Sequence, residues 1–346
     1  MNNRTFAAIA AALCMLAALP LSARDMVHTY KVTNGCKYAR PDAPVVVPIP
    51  ETWSWVRSTT VFVAGTNAEI PSQLDDLNGN GVPDEVVFTT DFEGGQSRDF
   101  WVLFTNIAPV KERYPARVHA QMFLKNGSVN EPKKEICATA DNMYNKLHHH
   151  GPAFESELVA YRIYFDKKQT ADLYGKYEKG LELAETMWYP TDKQLAEGAG
   201  DDIIRVFGSV GVGTLKGWDP ETGKATHIAP VARRCARIVV NGPVRTIVDM
   251  RVEAWEYRGR KVDLTSRYVL YAGHRDCEVR NTLKNASGLT FCTGVMKMAE
   301  RTTRLNQQEG TLATWGTDYP VNDTVKFAKQ TVGLAVYVSP WRIREQ

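Results

Sequence analysis

The chain alternates apolar and polar positions with a period of two over long stretches, and this pattern predicts β-strands with one wet face. It is clearest after Ala236: Arg237 to Val240, a turn at Asn241-Gly242-Pro243, then Val244, Thr246, Val248, Met250 and Val252 alternating with Arg245, Asp249, Arg251 and Glu253. A turn at Arg258-Gly259-Arg260, the series Leu264 to Leu270, a second turn near Gly273 and the series Cys277 to Leu283 complete it. Three antiparallel strands in a meander are the natural assignment. Earlier strands are predicted at Val45–Ile49, Thr59–Val63, Glu85–Thr89, Asp99–Phe104, Val118–Phe123 and Glu157–Phe165, and later ones at Thr290–Lys297 and Val332–Val338. Helical signals are few. The best is Thr191 to Gly198, with Thr191 as N-cap and Gly198 as stop. So many strands spaced by turns predict an all-β chain, a large antiparallel sandwich with few short helices.

The first residues depart from this pattern. Arg4 precedes an apolar run from Phe6 to Leu19, then Pro20 and Leu21-Ser22-Ala23, the layout of a signal peptide cut before Arg24. Leu13 before Cys14 is too bulky for a lipidated cysteine. Residues 1–23 are thus expected to be a leader and 24–346 a single domain, periplasmic or secreted, with no membrane span in the mature chain.

Composition narrows the function. Of 346 residues, 44% are hydrophobic, enough for a large core. The net charge of +3, falling to +2 once Arg4 leaves with the leader, and the absence of any Lys/Arg run predict no nucleic-acid partner. Gly208 to Gly213 lacks the Gly-Lys-Ser/Thr ending of a phosphate-binding loop. Export permits disulfides, and Cys36, Cys137, Cys235, Cys277 and Cys292 follow the leader. Their odd number leaves at least one thiol free; Cys277 and Cys292, on apparently neighbouring strands, are the first candidates for a bridge, with buried free thiols as the equal alternative.

Two segments carry candidate chemistry. Asp75 to Glu85 places oxygen side chains at alternate positions around a glycine turn, with Asp76, Asn78, Asn80 and Asp84 as ligands for a structural calcium. The twelfth position is Val87 where a calcium loop has a bidentate glutamate, and a polar hairpin is the competing reading. The second is the triplet His148-His149-His150 before Gly151-Pro152. On an extended backbone successive side chains alternate, so His148 and His150 would share a face and His149 would oppose them unless the Gly-Pro turn bends the chain. Glu155, Glu157, Tyr161, Arg162, Tyr164, Tyr174 and Lys176 follow closely. On one ideal strand Glu155, Glu157 and Tyr161 share one face, Arg162 and Tyr164 the other. Trp188, Trp218 and Trp315, in predicted loops, offer rings for sugar stacking, whereas Trp101 and Trp255, inside strands, are assigned to packing.

Gln73-Leu74-Asp75-Asp76-Leu77-Asn78-Gly79-Asn80-Gly81, then Pro83 to Phe88, His149-His150-Gly151-Pro152, Glu155 to Asp166 and Tyr174-Gly175-Lys176 together resemble the domain-of-unknown-function family 4861. The resemblance runs from about Tyr30 to the end. It implies a galactose-mutarotase-like β-supersandwich in an exported protein of Bacteroidetes-type bacteria that degrade polysaccharides, and at least one similar protein is described as a dehydratase of ulvan-derived oligosaccharides. Relatives tend to continue beyond the point where this chain stops, which implies either a C-terminally incomplete fragment or a shortened paralogue. The implied chemistry is β-elimination from a uronic acid in an acidic oligosaccharide or polysaccharide. A cation neutralises the carboxylate, a job for Arg162 or Lys176. A base takes the adjacent proton, a job for His149 or His150, and an acid protonates the departing oxygen, a job for Tyr164, Tyr174 or the second histidine. Glu157, Trp188 and Trp218 complete the expected substrate contacts. The alternatives are a mutarotase-like epimerase, a glycoside hydrolase with Glu157 as base, or a non-catalytic carbohydrate-binding protein.

Overall fold

The computed structural model describes residues 24–109, 113–139 and 143–343, so the expected leader with Arg4 and Cys14 and the last three residues lie outside the described residues. Twenty-five strands are described. The first seven are β1 (Asp25–Thr33), β2 (Arg40–Pro48), β3 (Ser58–Val63), β4 (Glu69–Ile70), β5 (Ser72–Asp75), β6 (Glu85–Phe92) and β7 (Ser97–Thr105). Two antiparallel sheets, in the orders β1-β7-β3-β4 and β2-β6-β5, face each other. They bury Val45, Val61, Phe88, Phe100, Val102 and Phe104 in a core of their own.

The larger body follows. Its strands are β8 (Val118–Gln121), β9 (Phe123–Asn126), β10 (Val129–Pro132), β11 (Glu135–Ala138), β12 (Ala153–Ser156), β13 (Val159–Ile163), β14 (Ala171–Gly175) and β15 (Asp201–Asp202). They continue with β16 (Lys216–Asp219), β17 (Lys224–Thr226), β18 (Arg233–Asn241), β19 (Arg245–Tyr257), β20 (Arg260–Tyr271) and β21 (Cys277–Lys284). The last are β22 (Phe291–Cys292), β23 (Glu300–Asn306), β24 (Thr311–Asp318) and β25 (Gln330–Tyr337), and two short helices, α1 (Leu183–Thr186) and α2 (Asp192–Ala196), lie between β14 and β15. Sheets β11-β18-β19-β20-β21 and β15-β14-β13-β12-β8 enclose the main core, which includes Phe154, Ile163, Phe165, Val248, Met250 and Tyr268. The all-β sandwich expected from the alternation is the fold observed.

The two bodies meet where β5 and β6 pass β19. Val87 packs with Val244, Ile247 and Val269. Beside them Arg245, 0% exposed, pairs with Asp75 and donates to Glu85 at 2.7 Å, while the Gln73 side-chain oxygen accepts from the amides of Val244 at 2.7 Å and Arg245 at 2.9 Å. A buried guanidinium is stable only with its carboxylates in place, so this junction is tightly specified.

Several sequence expectations need correction. The meander from Arg233 to Lys284 has four strands, because the run before Asn241 pairs with β19 along its length, with one register shift between Ile238 and Val240. The segment predicted as one strand over Glu157–Phe165 is the second half of a hairpin: Glu155 pairs with Ala160, and the chain turns at Glu157-Leu158. Period two cannot reveal such a turn because both arms are buried on both faces. Thr290–Lys297 contributes only Phe291–Cys292 as strand, and Val118–Phe123 breaks between Gln121 and Phe123. The bridge is Cys137–Cys235, whose residues are directly opposed in β11 and β18. Cys277 instead pairs in register with Leu270 and Cys292 with Lys216, in different sheets, so they are free, as is Cys36. Thr191 caps α2 as expected, accepting from the Gln194 amide in a capping box.

The bridge closes a loop of 98 residues, for which chain entropy predicts a contribution of about 2–5 kcal/mol. Cys137→Ser with Cys235→Ser should lower the urea midpoint accordingly, and alkylation of the unreduced, denatured protein should label Cys36, Cys277 and Cys292 while sparing Cys137 and Cys235. Labelling of Cys137 would refute the pairing.

Candidate functional site

The site grows out of β13. Arg162 lies directly opposite Asp172 of β14, and Asp202 on β15 is the next strand over. The guanidinium donates to Asp172 through Nε at 2.9 Å and Nη2 at 2.6 Å, to Asp202 at 2.9 Å, to the Tyr164 phenol oxygen at 2.8 Å and, through Nη1, to the Tyr189 phenol oxygen at 3.0 Å. Trp188 lies 4.5 Å from the guanidinium centre and covers it. Burial works against the charge on Arg162, yet Asp172 and Asp202 hold its pKa well above the ordinary value. Burial and the neighbouring Asp172 push the Asp202 carboxyl well up. Burial and Asp172 likewise raise Tyr164, whose hydroxyl donates to Asp172 at 2.6 Å.

The histidines sit against this cluster. They form one 3-10 turn in which His149 (φ 55°) and His150 (φ 64°) are left-handed, so the alternation expected of an extended chain does not apply. Gly151 follows because a Cβ there would lie 1.9 Å from the Ile163 carbonyl oxygen: only glycine lets the turn seat on β13. The His150 amide carbonyl accepts from Phe165, and Pro152 from Ile163, fixing the triplet to the same strand that carries Arg162.

Hydrogen bonds fix each tautomer. His150 Nδ1 contacts the Tyr144 carbonyl at 2.8 Å, and His148 Nε2 the Met187 carbonyl at 3.0 Å. A carbonyl only accepts, so those nitrogens carry the protons, leaving lone pairs on His150 Nε2 and His148 Nδ1. The Gln121 amide nitrogen donates to the Leu183 carbonyl at 2.8 Å and to His149 Nε2 at 3.1 Å, which puts the His149 proton on Nδ1, a buried atom without a hydrogen-bond partner among the described residues. Burial lowers the pKa of His148 and His150, and lowers His149 furthest, with the neighbouring His148 and Arg162 adding to it. All three rings are therefore neutral near pH 7.

The rings are packed closely: His150 stacks on Tyr144 at 3.7 Å, lies 6.1 Å from Tyr164 and 6.4 Å from Tyr189, and His148 lies 5.7 Å from Tyr189. Tyr189 is 48% exposed and gives the cluster its outlet to solvent, while Lys168 lies 5.1 Å over the Tyr164 ring and 5.6 Å over Tyr144. Two concavities elsewhere, one between β1 and β2 and one beside Trp255, do not contain these residues.

Of the residues singled out in the sequence, His149, His150, Arg162 and Tyr164 thus converge. Others do not. The Lys176 ammonium is buried, paired with Glu155 and donating to the Ser156 and Gly180 carbonyls, so it has nothing left for a substrate carboxylate. Tyr174, fully buried, donates to Glu182 at 2.8 Å. Glu157 accepts from Arg117 and from the Gly273 amide, at a different contact. Trp188, 0% exposed, cannot stack on a sugar because it lies on Arg162; Trp218 is half-buried within β16, and Trp101, assigned to packing, is 40% exposed. Sequence reasoning missed Asp172, Asp202, Tyr144, Lys168 and Tyr189. Asp172 did leave a trace, an acid in the strand Ala171–Gly175 that only a buried partner can justify.

In the acidic loop, Asp76 accepts from the amides of Gly79 at 2.6 Å, Asn80 at 3.2 Å and Gly81 at 2.7 Å, and Asp84 from Leu77 at 2.7 Å and from the Asn78 side chain. These carboxylates retain lone pairs that suit a hard cation, while Val87, in the bidentate position, is buried at the junction.

A family model described as Domain of unknown function (DUF4861) matches residues 32–346. No curated protein matches the sequence.

Arg162→Met should destabilise the protein by about 3–5 kcal/mol, since it strands two buried carboxylates, and adding Asp172→Asn and Asp202→Asn should restore part of the loss in urea denaturation. For His149, the folded pKa lies below the unfolded value of about 6.5, so its contribution is intact above that pH and is lost as pH falls below it. Stability measured from pH 7.5 to 5.5 should decline, and His149→Gln should flatten that slope by up to about 1.4 kcal/mol per pH unit.

Proposed function

The chain belongs to the DUF4861 family, and we propose that it is an exported protein that acts on acidic oligosaccharides, eliminating across a uronic acid to leave a conjugated double bond. The observation that carries this reading is His150: a neutral imidazole with its proton committed to the Tyr144 carbonyl and its lone pair on Nε2, with the Tyr189 phenol ring 6.4 Å away. In the proposed reaction Nε2 takes the proton from the carbon next to the carboxylate. The C–H electron pair becomes the double bond, and the C–O bond at the β position breaks.

Tyr189 supplies the leaving oxygen with its proton. Its phenol oxygen accepts from Arg162, which leaves the hydroxyl hydrogen free to donate, and burial raises its pKa so that it stays protonated. The carboxylate must be neutralised for the adjacent proton to become acidic, and Lys168 replaces Lys176 in that role: it pairs with Asp166 at 3.4 Å and donates to the Phe207 carbonyl at 3.2 Å, but unlike Lys176 its side chain reaches solvent. Arg162 touches only protein groups and is a positioning residue: it orients Tyr164 and Tyr189. Exposed Tyr189 takes over the stacking role expected of Trp188. The leader, with its charged start, apolar run and small-residue cut site, supports a periplasmic or secreted setting.

Purified protein mixed with ulvan, pectin or glycosaminoglycan oligosaccharides should produce the ultraviolet absorbance of an unsaturated uronate. His150→Gln should reduce that rate by about 10²-fold or more while leaving thermal stability near wild type. Burial lowers the His150 pKa, so the acid limb of kcat/KM should fall below pH 6.5. Undiminished turnover by His150→Gln, or new reducing ends without absorbance, would overturn the reading.

A further inference from the structure

Sheet β23-β24-β25 keeps one face against the main core, through Leu334 and Thr314, and turns the other outward. The outward residues are in register: Thr302, Trp315 and Gly333 form one rung, Arg304, Ala313 and Ala335 the next, and Thr311 and Tyr337 sit one rung beyond. Trp315 is 64% exposed and Tyr337 68% exposed. A Cβ on Gly333 would lie 2.9 Å from the Trp315 indole, so the ring lies down across the glycine, one π-face on the sheet and the other open to water.

We propose that this face is a second carbohydrate-binding surface, separate from the histidine cluster, that holds an acidic oligosaccharide across Trp315 and Tyr337. This rests on the reading of the protein as acting on acidic glycans. Three features favour a sugar chain over a protein partner. A flat, upward-facing indole presents its π-face to the C–H side of a pyranose ring. The rungs around it carry hydroxyls, with Thr317 and Thr331 hydrogen-bonded to each other at 2.8 Å, where a protein-docking face would carry aliphatic side chains. Arg304, exposed and one rung from Trp315, has no ion pair among the described residues, whereas the acid on this face, Glu300, is neutralised by Lys329 at 2.5 Å. The unspent positive charge matches a uronate. Tyr337 lies four residues along the strands from the Trp315 rung, roughly 14 Å, more than one sugar ring spans, so the ligand is an oligosaccharide or polymer.

The test is native affinity electrophoresis of the full chain in gels containing polygalacturonate, ulvan, alginate or chondroitin sulfate, with hydroxyethyl cellulose as the neutral comparison. Using His150→Gln as the parent protein prevents turnover and separates this proposal from the catalytic one. At least one acidic polymer should retard the parent. Trp315→Ala should weaken retardation at least about fivefold and Trp315→Phe less. Arg304→Gln should weaken it about threefold and reduce its sensitivity to salt. In a His150-containing protein, Trp315→Ala should leave turnover of short soluble oligosaccharides unchanged. Equal retardation of Trp315→Ala and parent overturns the proposal, as does the absence of retardation by all four acidic polymers. Sedimentation showing that Trp315→Ala dissociates a dimer without affecting glycan binding also overturns it, assigning the face to a second copy of the chain.

Discussion

A single guanidinium sets the conditions under which the rest of the site exists. Arg162 is buried on a central strand, and a positive charge there is tolerable only because Asp172 is placed directly across the ladder and Asp202 on the strand beyond. Once that arrangement is fixed, the remaining donors of the planar fork dictate where two phenols must stand. One of them, Tyr164, is locked inward by its bond to Asp172; the other, Tyr189, is held at the surface with its own hydrogen left over. Burial is what chiefly keeps the histidines neutral, and the nearby guanidinium adds to it for His149 and His150. Electrostatics, more than shape, defines this region.

The division of labour between the two sandwiches follows from how they are joined. The N-terminal body owns a complete aromatic and aliphatic core, and its contact with the larger one sets a buried polar cluster of Gln73, Asp75, Glu85 and Arg245 beside an apolar patch around Val87. Such a contact tolerates little sliding, because each displaced donor or acceptor would be left unsatisfied away from water. Val87, the residue that breaks the calcium-loop pattern, belongs to this contact: its position is claimed by the hydrophobic seam between the bodies.

How much of this was readable beforehand depends on the range of the interaction. Alternation and turn residues gave the strands, and Thr191 gave the α2 start, because these are properties of neighbouring residues. The hairpin at Glu157 was hidden because both of its arms are buried on both faces and show no period. The disulfide was misassigned because pairing depends on which strands become neighbours, and β11 reaches β18 across 98 residues. Within the site, His149, His150, Arg162 and Tyr164 were visible as a dense local group, whereas Asp202 and Tyr189 arrive from a two-residue strand and a loop, respectively, that carry no periodic signal. Lys176 and Trp188 looked available in sequence, and only burial shows that each is already committed.

The seating of Gly151 on the Ile163 carbonyl has a broader implication. It ties the imidazole turn and the arginine strand into one rigid frame, so the surrounding loops can be remodelled without moving the imidazoles relative to the guanidinium. Divergence in this lineage should then be written in the rim that frames Tyr189, while the strand and its glycine latch stay constant beneath it.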